Sequence, residues 1–395
     1  WDPRGPANIK VWLMSGCDTN RRKALKHLAL LGATGLVPAI LPIWPAPAAS
    51  LTAGFVYIGP REDLGWNQSH AVAATALRGV PGIRVVQAGY LPESTDYGSG
   101  KDDAETGAYT AAMEGLVADD AGVIFSTSFG DDPFLLAMAK KYPDVVFRLA
   151  SALASSDYPK NVGCQNALIY QGHYVNGVAA GLCTTTNQLG FVAGMPFGPV
   201  LLNVNSFLLG CRQTNPEATV RVIFTGGWED AAHDAAATNA LVDAGCDVIA
   251  CHLDAPRVVI ETAEGRGVKT CGHAFDQAKL APKGYITGAD YNWTDMFENF
   301  VETLQRGGTL PNFVTGGYDK DYVGSSPFGA GATPAAINAA NTAMQAMKNG
   351  DAIFVGPLMD NTGKLMVPAG TTYGPYADKL QQTDYLIQGV VGSIT

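Results

Sequence analysis

Beyond residue 50, short apolar runs alternate with longer alanine-rich segments, and this alternation restricts the fold more than any other feature. Residues 53–58 form a continuous apolar run, and residues 122–126 are apolar up to Ser126, as expected of parallel strands that are covered on both faces. Segments such as residues 106–119 and 231–244 have the length and composition of helices. The repeated β-α-β order predicts an α/β fold with parallel sheets.

The pattern restarts after residue 166, which predicts two similar α/β units in series. A length of 395 residues fits two domains at roughly 100–200 residues each. We expect lobe 1 to comprise residues 50–165 plus about 290–315, and lobe 2 to comprise residues 166–289 plus about 316–395. Because the C-terminal part is too small for a third domain, the chain is expected to cross between the lobes through a hinge of a few strands.

The first 49 residues differ in charge from the rest of the chain. Residues 1–49 carry six basic and two acidic side chains, a net of +4, whereas the remainder carries 20 basic and 34 acidic side chains, a net of −14. An apolar run at 28–44 and a small-residue stretch follow the basic segment, which predicts a cleaved export signal ending near Ala49. The pair Arg21-Arg22 indicates a twin-arginine signal and a periplasmic or extracytoplasmic location. A transmembrane anchor is the alternative, but two prolines interrupt a run that is short for a bilayer.

The composition excludes several classes of partner and scaffold. A net charge of −10 without basic clusters after the leader argues against a nucleic-acid partner, because phosphate neutralisation requires clustered Lys and Arg. Six cysteines remain beyond residue 49, too few for a disulfide scaffold, and we expect most of them to be buried as small apolar residues.

Candidate binding residues follow the predicted strands, where open parallel sheets bind their ligands. Trp66 and Asn67 follow the first strand and offer a flat ring and an amide. In the second unit, Trp228 and Asp254 occupy comparable positions. A planar, heteroatom-rich ligand between two such rims would be stacked and hydrogen-bonded at its edge. The alternatives are that Trp66 and Trp228 are core residues and that Asp254 is a helix cap.

No assembled catalytic motif occurs in the sequence. The chain lacks G-x-G-x-x-G after the first strand, G-x-S-x-G and H-E-x-x-H, so we expect no enzyme activity, no cofactor and no metal. The competing hypothesis is a zinc-assisted hydrolase on the same fold, because thiols and imidazoles are dense at Cys251, His252, Cys271 and His273. Their spacing is not that of a known zinc module.

Several segments resemble the basic membrane protein family, the substrate-binding proteins of ABC transporters that include purine nucleoside receptors. The matching segments are residues 54–70, 124–133, 166–181, 189–196, 218–256 and 361–370, in the order found in the family. The resemblance implies a type I periplasmic-binding-protein fold, with two Rossmann-like lobes joined by a three-strand hinge and closing on a ligand. It also implies a permease of an ABC importer as the membrane partner, and we expect a monomer.

The resemblance also implies which residues contact the ligand. The matching positions, together with residues expected to line the same cleft, are Trp66, Asn67, Phe129, Phe197, Trp228, Asp254, Asp276, Asn292 and Trp293. The implied ligand is a purine base or nucleoside, stacked between the two indoles of Trp66 and Trp228. Nucleoside-binding members use a lysine to hold the ribose, and this chain has Asn292-Trp293 in that neighbourhood. A free base is therefore as well supported as a nucleoside.

Overall fold

Two sheets organise the described part of the chain. The computed structural model describes residues 50–89, 103–130 and 132–394, so the export signal predicted for residues 1–49 lies outside the described residues. The strands of the first sheet are β1 (Leu51–Val56), β2 (Ile83–Gln87), β3 (Ala121–Phe129), β4 (Val146–Ala150), β5 (Val162–Ala167) and β11 (Phe313–Gly316). They follow the order β11-β5-β4-β3-β1-β2, and every neighbouring pair is parallel.

The second sheet is parallel except at one edge. Its strands are β6 (Gln188–Ala193), β7 (Thr219–Phe224), β8 (Val248–His252), β9 (Lys269–Ala274), β10 (Tyr285–Tyr291), β12 (Val323–Ser325) and β17 (Val390–Val391). They follow the order β12-β10-β9-β8-β6-β7-β17, and β12 runs antiparallel to β10. Two small antiparallel pairs complete the C-terminal region: β13 (Phe354–Val355) with β16 (Thr372–Tyr373), and β14 (Leu358–Met359) with β15 (Leu365–Val367).

Helices connect the strands and cover both sheets. They are α1 (Trp66–Ala76), α2 (Asp103–Ala118), α3 (Pro133–Lys141), α4 (Tyr170–Gly181), α5 (Gly198–Thr214), α6 (Ala231–Asp243), α7 (Arg257–Gly265), α8 (Thr294–Gln305), α9 (Pro334–Lys348) and α10 (Asp378–Gln381). Several of these helices begin at a residue whose side chain caps the helix N-terminus. Asp132, Asp230 and Thr333 cap α3, α6 and α9 by accepting hydrogen bonds from first-turn backbone N–H groups.

The chain passes between the two sheets at three places. It leaves β5 for α4, which packs against β10 of the second sheet. It returns after β10 to α8, which packs against β1 of the first sheet. The third passage runs from β11 to β12. Each sheet is therefore completed by chain segments that are distant in sequence, as two Rossmann-like halves require.

Strand β5 was not predicted because it has no apolar run. It contains Gln165 and Asn166, yet all six residues are buried. The guanidinium of Arg148 explains part of this, since its Nε and Nη2 atoms donate hydrogen bonds to Gln165 Oε1 and to the Cys164 carbonyl at 3.3 and 2.7 Å. Arg148 also lies over the Phe300 ring, 4.5 Å from its centroid. Hydrogen bonds to Arg148 therefore accompany the burial of a strand that hydrophobicity does not reveal.

All six cysteines of the described residues are buried. This burial agrees with the expectation that they pack as small apolar residues. Among the described residues, every helix is too short or too polar to cross a membrane.

Candidate functional site

A cavity of about 660 Å³ lies between the two sheets, at the carboxyl ends of their strands. Its lining combines residues at or just after the carboxyl ends of β1, β3 and β5 with residues at or just after the carboxyl ends of β6, β7, β8, β9 and β10. The lining residues are Ile58, Trp66, Phe129, Gly130, Asn166, Ala167, Ile169, Tyr170, Met195, Pro196, Phe197, Pro199, Leu202, Asn203, Trp228, His252, Asp254, His273, Tyr291 and Gln381. The volume is within the range of small-molecule sites.

Trp66 is held rigidly at the start of α1. The carboxylate of Asp63 accepts hydrogen bonds from the backbone N–H groups of Gly65, Asn67 and Gln68 at 2.8–2.9 Å, which fixes this end of the helix. Burial raises the pKa of Asp63, although these hydrogen bonds act in the opposite direction. The Trp66 indole N–H donates to the carbonyl of Thr127 at 2.7 Å. One edge of the indole is therefore anchored in the protein while the ring lines the cavity.

Seven aromatic side chains form a closed belt around the cavity. Successive centroids lie 6.3, 6.1, 5.5, 6.0, 4.3, 6.1 and 5.1 Å apart, each ring contacting the next and the last contacting the first. In order, the aromatic belt consists of Trp66, Phe129, Phe197, Trp228, His252, His273 and Tyr291. Two rings separate the two tryptophans on one side of the belt and three on the other. Trp66 and Trp228 therefore occupy nearly opposite positions.

The indole N–H of Trp228 is a buried donor without a hydrogen-bond partner in the described structure. Its ring is half-buried and contacts the Phe197 ring edge-on, with 85° between the ring planes. Because a buried N–H group without an acceptor costs free energy, this donor is a suitable partner for a ligand acceptor.

The two halves of the molecule are in contact at the mouth of the cavity. The backbone N–H of Trp66 donates to the Asp254 carbonyl at 3.0 Å, and the Gln277 amide donates to the Leu64 carbonyl at 2.5 Å. Gly65 permits this approach, since a Cβ built at that position would lie 2.0 Å from the Asp254 carbonyl oxygen. The structure is therefore a closed form of the cleft.

Five of the nine predicted site residues line the cavity: Trp66, Phe129, Phe197, Trp228 and Asp254. Asn67 does not, although it directly follows Trp66. Its amide donates to Asp63 at 3.0 Å and accepts from the Thr127 hydroxyl at 2.9 Å, and the side chain is 1% exposed. Asn67 therefore lies outside the cavity lining, and its side-chain hydrogen bonds support the loop.

The other three predicted residues also lie outside the lining. Asp276 accepts a hydrogen bond from the backbone N–H of Ala278 in a short turn. The amide of Asn292 donates to the Asp321 carbonyl. Trp293 is 1% exposed and stacks on His70 at 4.7 Å, so it is a core residue. For these three, the sequence could not show which way the side chains point.

Several lining residues were not predicted as ligand contacts. Tyr291, at the end of β10, had a usable signal, since it is an aromatic residue at a strand end like Trp228. Tyr170 and Asn203 reach the cavity from α4 and α5, and Gln381 reaches it from the C-terminal helix α10. No local motif marks these three, because only the return of distant segments brings them to the cleft.

Three imidazoles gather at one side of the cavity. One ring nitrogen each from His173, His252 and His273 lies within 4.8 Å of the others. Nε2 of His173 is 3.0 Å from Nδ1 of His273, and the Asn203 amide nitrogen is 2.6 Å from Nδ1 of His252. Burial lowers the pKa of His252 to about 3 and the pKa values of the other two well below the usual value. All three rings are therefore neutral at physiological pH.

The histidine group differs from the set of two cysteines and two histidines that the zinc-hydrolase hypothesis named. Cys251 and Cys271 are absent from this histidine group, and within the described residues the group contains imidazoles alone. Burial raises the pKa of both thiols, which disfavours the thiolate that zinc requires. His173, which sequence reasoning did not consider, completes the group in place of the cysteines.

Two mainly parallel sheets with a cleft at their strand ends define a ligand-binding protein of the type I periplasmic-binding-protein fold. A solute-binding protein of an ABC transporter from Conexibacter woesei is structurally similar, with a TM-score of 0.61 at 18% identity over 76% of this chain and 97% of that chain. The predicted fold class is confirmed. A family model described as "ABC transporter substrate-binding protein PnrA-like" matches residues 50–347. The chain belongs to this family, Bmp, as the resemblance implied.

Two relatives differ in the ligand that their names state. A purine-binding protein from Brucella abortus is 33% identical over 278 residues, covering 70% of this chain and 75% of the relative. A putative ABC transporter glucose-binding protein from Haloferax volcanii is 31% identical over 275 residues, covering 70% of this chain and 66% of the relative. Membership in a family of substrate-binding proteins implies a small-molecule ligand, a membrane permease as partner and, as is general for the family, an extracytoplasmic location.

Proposed function

We propose that this protein is the exported receptor of an ABC importer and that its cleft binds a purine base or nucleoside. The observation that carries the proposal is the aromatic belt around the cavity. Flat heterocycles gain about 0.5–1.5 kcal/mol per aromatic pair beyond the burial of surface. The ligand lies between Trp66 and Trp228, which occupy nearly opposite positions in the belt.

Hydrogen-bonding groups at the ligand edge provide specificity. The unpartnered indole N–H of Trp228 suits a ring-nitrogen or carbonyl acceptor, and Asp254 suits an exocyclic amine or ring N–H donor. A ligand that lacks the matching group leaves a buried partner unpaired, which costs about 1–3 kcal/mol. Asn67 has no role in this contact, because its amide is bonded within the protein.

The charge of the lining favours a ligand without phosphate groups. Asp254 is the one acidic residue in the cavity lining, and no Lys or Arg belongs to that lining within the described residues. A nucleotide phosphate would lose its hydration without gaining a cationic partner. The proposed ligand class therefore comprises bases and nucleosides but not nucleotides.

Closure of the cleft links binding to delivery. Contacts such as the Trp66 N–H to the Asp254 carbonyl join the two halves directly at the mouth. A ligand that touches both halves adds free energy to the closed form, and the permease distinguishes closed from open receptors.

A calorimetric panel tests the proposal. Mature protein, refolded from denaturant to remove co-purified ligand, is titrated with adenine, guanine, hypoxanthine, their nucleosides, adenosine monophosphate and glucose. We expect saturable 1:1 binding of at least one base or nucleoside, and no binding of the nucleotide. Binding of glucose with no purine response would contradict the purine assignment while leaving the receptor role intact.

Substitutions separate the site from the scaffold. Trp228→Ala removes a belt ring and is expected to weaken purine binding about 10-fold or more. His233→Gln is the matched control, since His233 is exposed on α6 and pairs with Asp230 outside the cavity. Equal affinities for the two variants would contradict the proposed site.

A further inference from the structure

We propose that His173, His252 and His273 form a binding site for a divalent transition-metal ion of the zinc class. The site shares His252 and His273 with the aromatic belt, but the inference does not require the cleft ligand to be a purine. It starts from the histidine count: the described residues contain five histidines, and three of them meet in one cluster beside the cavity. Neutral imidazole is a preferred ligand of zinc, copper and nickel.

The cluster is carried entirely by the second sheet and a helix packed on it. His252 ends β8, His273 lies near the end of β9, and His173 lies on α4, which packs against β10. Closure of the cleft is therefore not needed to bring the three rings together. Ligands on regular elements are held more precisely than ligands on loops.

The spacing of the nitrogens is close to that of a three-imidazole site. Zinc–nitrogen bonds of about 2.0–2.1 Å in tetrahedral geometry place ligand nitrogens roughly 3.3 Å apart. The His173–His273 pair is at 3.0 Å, and the widest spacing within the cluster is at most 4.8 Å. Bringing a spacing of 4.8 Å to about 3.3 Å requires a movement of about 1.5 Å at most.

The surroundings of the rings fit a metal site. The Asn203 amide nitrogen lies 2.6 Å from Nδ1 of His252. A 180° flip of this amide places its oxygen there instead, where it accepts from Nδ1–H and orients the ring, as outer-shell partners of zinc-bound histidines do. His252 and His273 line the cavity, so a fourth coordination position would face the cleft.

One feature limits the affinity. In the metal-free form, the short His173–His273 contact requires one ring to donate a proton to the other. Coordination moves this proton to the remaining ring nitrogen. For His173 that nitrogen is Nδ1, which is buried without a partner. We therefore expect micromolar affinity and not the tighter binding of structural zinc sites.

The experiment is titration of untagged mature protein, stripped with a chelator and desalted, with Zn²⁺ by calorimetry and with Co²⁺ by visible absorption. We expect one equivalent bound and Co²⁺ d–d bands typical of nitrogen ligands. His252→Gln is expected to weaken Zn²⁺ binding at least 30-fold, and His233→Gln, the exposed control, to leave it unchanged. Circular dichroism checks that both variants are folded.

Other outcomes would overturn the inference. These are the absence of saturable binding to wild-type protein, equal affinity of the two variants, or a Co²⁺ spectrum with strong thiolate charge-transfer bands. If His252→Gln fails to fold, anomalous diffraction from Zn²⁺-soaked wild-type crystals decides: a peak between the three rings supports the site, and its absence refutes it. Purine titration with and without chelator shows separately whether the receptor function survives metal removal.

Discussion

Replacing Gly65 with alanine is expected to weaken ligand binding by preventing full closure of the cleft. A Cβ at this position would lie 2.0 Å from the Asp254 carbonyl oxygen and 2.7 Å from the Pro256 side chain. An ordinary van der Waals contact is 3.4–4 Å, so the facing loops must separate by about 1.4 Å, the difference between 3.4 and 2.0 Å. The obstructing atom is backbone and cannot swing aside.

The magnitude follows from what the separation breaks. The Trp66 N–H to Asp254 carbonyl hydrogen bond is 3.0 Å long, and a shift of this size removes it. Its net contribution is about 0.5–1.5 kcal/mol. Residual strain in the closed form adds about 1 kcal/mol. A total of about 2 kcal/mol corresponds to roughly 30-fold weaker binding. Opening relieves the clash without unfolding either half, so Tm is expected to fall by less than about 4 °C.

The assay is calorimetric titration of wild type, Gly65→Ala and Gly115→Ala with adenine and adenosine, alongside thermal unfolding. Gly115 is the matched control, because it is exposed on α2 and an added Cβ meets nothing within 4 Å. Its alanine variant is expected to bind as wild type does and to be up to about 1 kcal/mol more stable. Wild-type affinity in Gly65→Ala would refute the coupling between this contact and binding. A large loss of Tm in the same variant would show instead that the contact supports the fold.

Three further predictions concern single groups. Trp228→Phe keeps an aromatic ring but removes the unpartnered N–H, so purine affinity measured by calorimetry should fall about 3–10-fold, and an unchanged Kd would exclude the proposed hydrogen bond. Burial raises the pKa of Asp290, whose carboxylate accepts from Ser326, to about 7. Between about pH 4 and pH 7 the folded protein therefore holds a proton that the unfolded chain has released. The free energy of unfolding is expected to fall as pH rises through this range. Asp290→Asn should reduce this pH dependence, as measured by urea titrations at several pH values. Burial lowers the pKa of His70 to about 4, so its neutral form contributes stability that is lost as pH falls below 6.5. Wild type should lose up to about 3 kcal/mol from this group by pH 4, and His70→Phe should lose correspondingly less.

Much of the fold could be predicted because its signals are local. The predicted strands at residues 53–58 and 122–126 overlap β1 and β3, since largely apolar runs are readable without tertiary information. Strand β5 escaped prediction for the opposite reason. The oxygen of its buried Gln165 amide accepts from Arg148, and a partner that is distant in sequence leaves no periodicity in the strand.

The candidate site was predictable in outline and not in detail. Strand ends carrying aromatic residues pointed to Trp66, Phe129 and Trp228, and all three line the cavity. Their roles in binding a purine remain predictions. The position of Asn67 could not be predicted in this way. One helical step of about 100° turns its side chain away from the cleft that Trp66 lines and toward Asp63.

The amino-acid order alone determined the α/β class, the parallel sheets and the family, because alternating hydrophobicity and ordered motifs are properties of contiguous residues. Only the tertiary structure decided which side chains meet. His173 joins His252 and His273 across 79 and 100 residues of sequence, and Gln381 enters the cavity from the C-terminal helix. Such meetings depend on sheet order, helix phase and the three passages between the sheets, and sequence patterns do not encode these separately from the packed fold.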